Sequence, residues 1–108
     1  MLSIVLDEGR EWWVQSRIFS RLVDAAVADG APAEEMNYWR EVTCGHGGID
    51  IHLLEPDKAE WLRNVLLTTA RREVARLGNP DPMTVEGGYV LGLRRLLGLY
   101  SEAESGQS

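Results

Sequence analysis

The stretch "LSIVLDEGREWWV", Leu2–Val14, decides how the rest of the chain is read. Its opening run, Leu2–Leu6, is apolar and β-branched, as short strands are, and Leu2, Ile4 and Leu6 would share one face. Asp7–Arg10 interrupts that run. Beyond it, apolar residues gather on one arc of a helical wheel: Trp12, Val14, Ile18, Phe19, Leu22, Val23, Ala25 and Ala26. Trp13, Arg17, Ser20 and Asp24 fall on the polar side. The spacing predicts a helix from about Glu11 to Ala28, with Gly30 just past its end.

Working outward, Pro32 suits the first turn of a second helix over roughly Ala33–Thr43, on which Met36, Trp39 and Thr43 line up. "GIDIHLL", Gly48–Leu54, alternates. Ile49, Ile51 and Leu53 face one way and Asp50, His52 and Leu54 the other, which predicts a strand. Pro56 starts a long helix to Leu77 that has Asp57 and Glu60 in its first turn, Arg71, Arg72 and Arg76 towards its end and Gly78 after it. That order of charge complements the helix dipole. "NPDP", Asn79–Pro82, breaks the chain. Asp81 would then cap a last helix running to about Tyr100, with Val85, Tyr89, Leu93, Leu96, Leu97 and Tyr100 on its apolar face.

These elements predict an α+β, helix-dominant fold in the order β-α-α-β-α-α, with about four helices and two short strands. Residues 1–100 would form a single compact domain, and the small polar residues 101–108 a flexible tail. Two short strands make a marginal sheet, so they must pack under the helices or extend across a dimer. Gly88 and Gly92 share a helix face and would admit another backbone, which makes a homodimer, or a homo-oligomeric structural subunit, a further expectation.

Composition narrows the function. The chain has 108 residues and a net charge of −6. Residues 1–60 hold twelve acidic and five basic groups, a balance of −7, and residues 61–108 a balance of +1. A polyanion would be repelled, so nucleic acid is not an expected partner. The arginines of "ARREVAR" and "LRRL" have the acidic half available to pair with them. No apolar run reaches the ~20 residues of a membrane span, and the N-terminal run lacks the basic start of a secretory signal. The lone cysteine fits a reducing compartment, and the expected location is cytoplasmic.

"TCGHGGIDIH", Thr43–His52, gathers the only cysteine and both histidines. Cys44, His46, Asp50 and His52 could ligate a transition metal or serve an enzyme, but the spacing is loose and lacks paired C-x-x-C or H-x-x-x-H elements. "CGHGG" is not a phosphate loop, since it leads into a strand. The reading taken is a glycine-rich turn, with no metal, no cofactor and no catalytic residue. What remains is a small acidic module without enzymatic activity, built to bind a basic protein partner and occlude it as an immunity protein, antitoxin or inhibitor does. The expected binding face comprises Trp13 with Arg17, Asp24, Glu34 and Glu35, an aromatic anchor inside a charged rim. Trp61, off the main apolar arc of its helix near Asn64 and Thr68, is a second exposed-aromatic candidate.

Overall fold

A hairpin opens the chain. In the computed structural model, which describes the backbone of residues 1–107 and the side chains of residues 1–100, β1 (Leu2–Asp7) pairs antiparallel with β2 (Arg10–Val14). The register sets Leu2 against Val14 and Ile4 against Trp12, so their side chains share the buried face. The Asp7–Arg10 ion pair, 2.9 Å, closes the turn. The residues from Glu11 to Val14 are therefore strand, where the wheel reading began a helix. The physical reason is that Trp12 and Val14, two apart, sit at opposite edges of the wide arc the wheel gives them, whereas in a strand they share one side. Only the strand buries both.

The first helix, α1 (Ser16–Ala28), follows at once and buries Phe19, Leu22, Val23 and Ala26. Helix α2 (Ala33–His46) buries Met36, Trp39 and Thr43, the three residues expected to line up. It runs one turn beyond Thr43, taking in Cys44, Gly45 and His46. Gly47 ends it in the left-handed region at φ 76°. Gly48 then lets β3 (Gly48–Asp50) lie against β1, because a Cβ there would stand 2.1 Å from the Ser3 carbonyl oxygen. The sheet order is β2-β1-β3, with β3 parallel to β1 and α1 and α2 forming the crossover.

The predicted strand Gly48–Leu54 is cut short. β1 offers β3 only Ser3–Val5, and the chain turns through a 3-10 segment, Ile51–Leu53, into α3 (Pro56–Leu77). Ile51 is buried while Leu53 points to solvent, so the alternation stops being structural there. Helix α3 has the expected limits and buries Leu62, Leu66 and Ala70. It also buries Glu73, which accepts from the Tyr89 hydroxyl at 2.8 Å and pairs with Arg76 at 2.8 Å.

Helix α4 (Val85–Gln107) starts later than the Asp81 cap implied. Asp81 makes a turn instead. Its carboxylate accepts the Met83 N–H at 3.0 Å and its carbonyl the Thr84 N–H at 2.9 Å. Thr84 takes the capping role, its hydroxyl accepting the Gly87 N–H at 3.0 Å. Tyr89, Leu93 and Leu96 are buried as expected, while Val85 is exposed. Gly92 lies against this chain's own α1 and β2. Its carbonyl accepts the Trp12 indole N–H at 3.0 Å, and a Cβ there would meet Ile18 at 3.2 Å. Side chains of this chain, not another backbone, stand at Gly92, and a Cβ at Gly88 would meet nothing within 4 Å. The result is a helix-dominant α+β fold with four helices and one three-stranded sheet. The tail expected at residues 101–108 lies outside the residues whose side chains are described.

Candidate functional site

Helix α2 places its acidic residues on an open face. Glu34, Tyr38 and Glu41 follow one another at helical spacing, and all three are exposed. Tyr38 is 57% exposed although aromatic, and its ring meets the buried Trp39 ring edge-on at 5.0 Å. Glu35 turns towards α3 and pairs with Lys58 at 2.8 Å. That contact holds the Glu35 carboxyl below its ordinary range and the Lys58 ammonium above its own. Glu55 and Tyr38 also stand near Lys58, which is the only lysine in the chain. One cation therefore sits among the carboxylates, with the exposed Tyr38 beside it. The sequence reading missed Tyr38. The signal was present in its spacing from Glu34 and Glu41, and in its place beside rather than on the Met36–Trp39–Thr43 row.

The expected five-residue face is divided. Trp13 is exposed, at 53%, but because it alternates with Trp12 on β2 rather than because it faces away on a helix. It lines a depression of about 190 Å³ together with Arg17, and neither Glu34 nor Glu35 takes part. Asp24 is held by Arg40 at 2.6 Å, and Arg40 also reaches the Ser20 hydroxyl at 3.3 Å and the Asn37 side chain. Asp24 thus belongs to the α1–α2 contact. Trp13 and Arg17 form one group, Glu34 and Glu35 another.

The four chemistry-bearing residues of Thr43–His52 separate as well. Cys44 and His46 are exposed in the last turn of α2, where the His46 ring nitrogen Nδ1 sits 2.9 Å from the Val42 carbonyl. Asp50 and His52 pair with each other across the end of β3. Among the described residues no three His, Cys, Asp or Glu side chains converge as a metal would require. The stretch caps α2, admits β3 and turns into α3.

Trp61 is half-buried. It walls a cleft of about 280 Å³ with Asn64, Thr68 and Arg72, and Ala26 and Ala31 stand opposite. Arg72 meets Asp29 across the rim at 3.6 Å, one of the pairings expected between the basic second half and the acidic first. Among the described residues no helix is long and apolar enough to cross a membrane. No protein-family model, curated protein or solved structure matches the chain.

Proposed function

We propose that this chain is a small protein-binding module that captures a basic partner on the acidic face of α2 and occludes it, as an inhibitor, immunity protein or antitoxin does. The observation that carries the reading is Tyr38, a large aromatic left open among Glu34, Glu35, Glu41 and Glu55. An exposed tyrosine costs solvation unless something covers it, and tyrosine is enriched among residues that dominate interface energy. Carboxylates around it add encounter rate and selectivity for a cation-bearing surface. The charge balance of the first 60 residues, −7, has the same sign. This reading keeps the expected partner and moves its anchor from Trp13 to Tyr38.

The test is capture from the native host on immobilised protein, followed by kinetics with the partner retained. Tyr38→Ala should weaken binding by ~2 kcal/mol or more, chiefly through faster dissociation. Reversing Glu34 and Glu41 to lysine should slow association and flatten its salt dependence. A captured partner of acidic surface, or a basic one that binds both variants unchanged, would remove the support for this face.

A further inference from the structure

The charge of this protein is segregated in a way that net charge conceals. Three neighbouring depressions, together termed the furrow, share wall residues, with Arg17 in all three. The first is lined by Met1, Trp13, Arg17, Leu91 and Arg95 among others. The second shares Arg17, Ile18 and Gly88 with it and adds Arg21 and Val85. The third shares Met1 and Arg17 and continues past Ser16 and Ser20 to Cys44. The chain has seventeen carboxylates. Among the described residues none lines any part of this furrow, and its charged side chains are arginine alone.

The three arginines differ in availability. Arg21 is engaged, pairing with Glu86 at 3.0 Å and lying 4.1 Å over the Tyr89 ring. Arg17 donates to the Gln15 side-chain oxygen at 2.9 Å, a neutral partner. Among the described residues neither Arg17 nor Arg95 has a carboxylate at ion-pair distance. Beside them stand the exposed apolar side chains Met1 at 74%, Trp13 at 53% and Leu91 at 42%. Tryptophan and arginine together are the composition of an interface core.

We propose that this furrow binds an extended acidic peptide segment whose apolar side chains alternate with its carboxylates. Charge complementarity sets the sign, because unopposed guanidinium groups in an acid-free channel favour carboxylates, which they hold in bidentate pairs. The apolar walls set the rest: Trp13, Ile18 and Leu91 offer sockets that a carboxylate chain without apolar residues would leave empty. A linked row of shallow depressions matches an extended chain, whose side chains project at regular intervals. A nucleic acid fits less well. Only two free arginines stand here in a chain of net charge −6, whereas phosphate backbones are held by many cations together.

The test uses the intact chain and a fluorescein-labelled peptide alternating glutamate with leucine, read by polarisation at low and moderate salt. The expected result is saturable binding that weakens with salt and is absent for the lysine–leucine counterpart. The Trp13 indole resonance should shift on titration with unlabelled peptide, a readout that needs no variant. Trp13→Ala should weaken binding about tenfold or more, and an Arg17→Ala/Arg95→Ala double variant likewise, with both folded by circular dichroism. The proposal is overturned if the acidic peptide fails to bind or leaves the Trp13 resonance unmoved, or if the lysine peptide binds equally. It is also overturned if a single-stranded oligonucleotide binds more tightly than the peptide. A concentration-dependent dimer abolished by the same variants would assign the furrow to a second copy of this chain and overturn it too.

Discussion

Adjacent tryptophans give a direct test of the hairpin. Trp12 is 1% exposed and donates its indole N–H to the Gly92 carbonyl at 3.0 Å, whereas Trp13 is 53% exposed. Substituting Trp12 by Phe removes that hydrogen bond, worth about 1 kcal/mol net. It also removes roughly 40 Å² of buried ring, about 1 kcal/mol at ~25 cal/mol per Å². A small residual void between β2 and α4 adds to both, so the expected cost is about 2–3 kcal/mol. The same substitution at Trp13 should stay within about 0.5 kcal/mol, as for surface positions generally. Urea unfolding followed by circular dichroism measures both, and the midpoint for Trp12→Phe should fall by roughly 1 M or more with m unchanged. The Trp12 indole proton should also exchange far more slowly than that of Trp13. Equal costs at the two positions, or a larger cost at Trp13, would refute the register that buries Trp12 and leaves Trp13 exposed.

Three further outcomes follow from particular contacts. Gly48→Ala should cost about 3 kcal/mol or more and release the β3 amides in hydrogen exchange, because the new methyl group would stand 2.1 Å from the Ser3 carbonyl oxygen. Tyr89→Phe should lower stability by about 2 kcal/mol in urea unfolding, the usual worth of a buried hydrogen bond to a carboxylate, since it deletes the 2.8 Å bond to Glu73. Tyr100 has its phenol pushed up to about 12, first by burial and then by the Asp7 carboxylate. Its contribution is therefore complete below the ordinary tyrosine range near pH 10 and is lost as pH rises through about 12. Tyr100→Phe should flatten that part of the decline in an alkaline series of unfolding curves, and an unchanged decline would count against the buried phenol.

What the sequence discloses here depends on how long each signal persists. Helix α3 carries its pattern for 22 residues between Pro56 and Gly78, and its limits are read without error. Helix α1 ends at Ala28 as its wheel and Gly30 imply. The errors lie where a signal is short. "REWWV" is too short for a wheel to exclude a strand, although a turn containing Gly9 between two β-branched or aromatic runs was a hairpin cue. "GIDIHLL" has the right period, yet β1 pairs it for only three residues, a limit set by a partner strand and invisible locally. The site shows the same division. That Trp13 is exposed was legible from its neighbour, whichever element held it. Which charges surround it was not, because Arg95 comes from 82 positions along the chain and the furrow exists only when β2, α1 and α4 meet.

Helix α1 contributes to both surfaces. Arg17 and Arg21 line depressions shared with β2 and α4. Ser20 and Asp24 are gathered by Arg40 of α2. Arg40 thereby neutralises the acid on α1 nearest to α2, and Glu86 does the same for the arginine nearest to α4. Glu34 and Glu41 on α2 and Arg17 and Arg95 at the furrow are among the charges left without an ion-pair partner, as are Glu8, Glu11, Glu55, Asp57, Glu60, Asp81, Arg63, Arg71 and Arg94 among the described residues. Glu34 and Glu41 lie at helical spacing from the exposed Tyr38, and Arg17 and Arg95 line a depression with the exposed Trp13. Solubility alone asks only for charge spread over the surface with apolar patches kept small. The proposed recognition of partners by sign and by aromatic anchor would use both exposed rings, Tyr38 bordered by carboxylates and Trp13 by arginines.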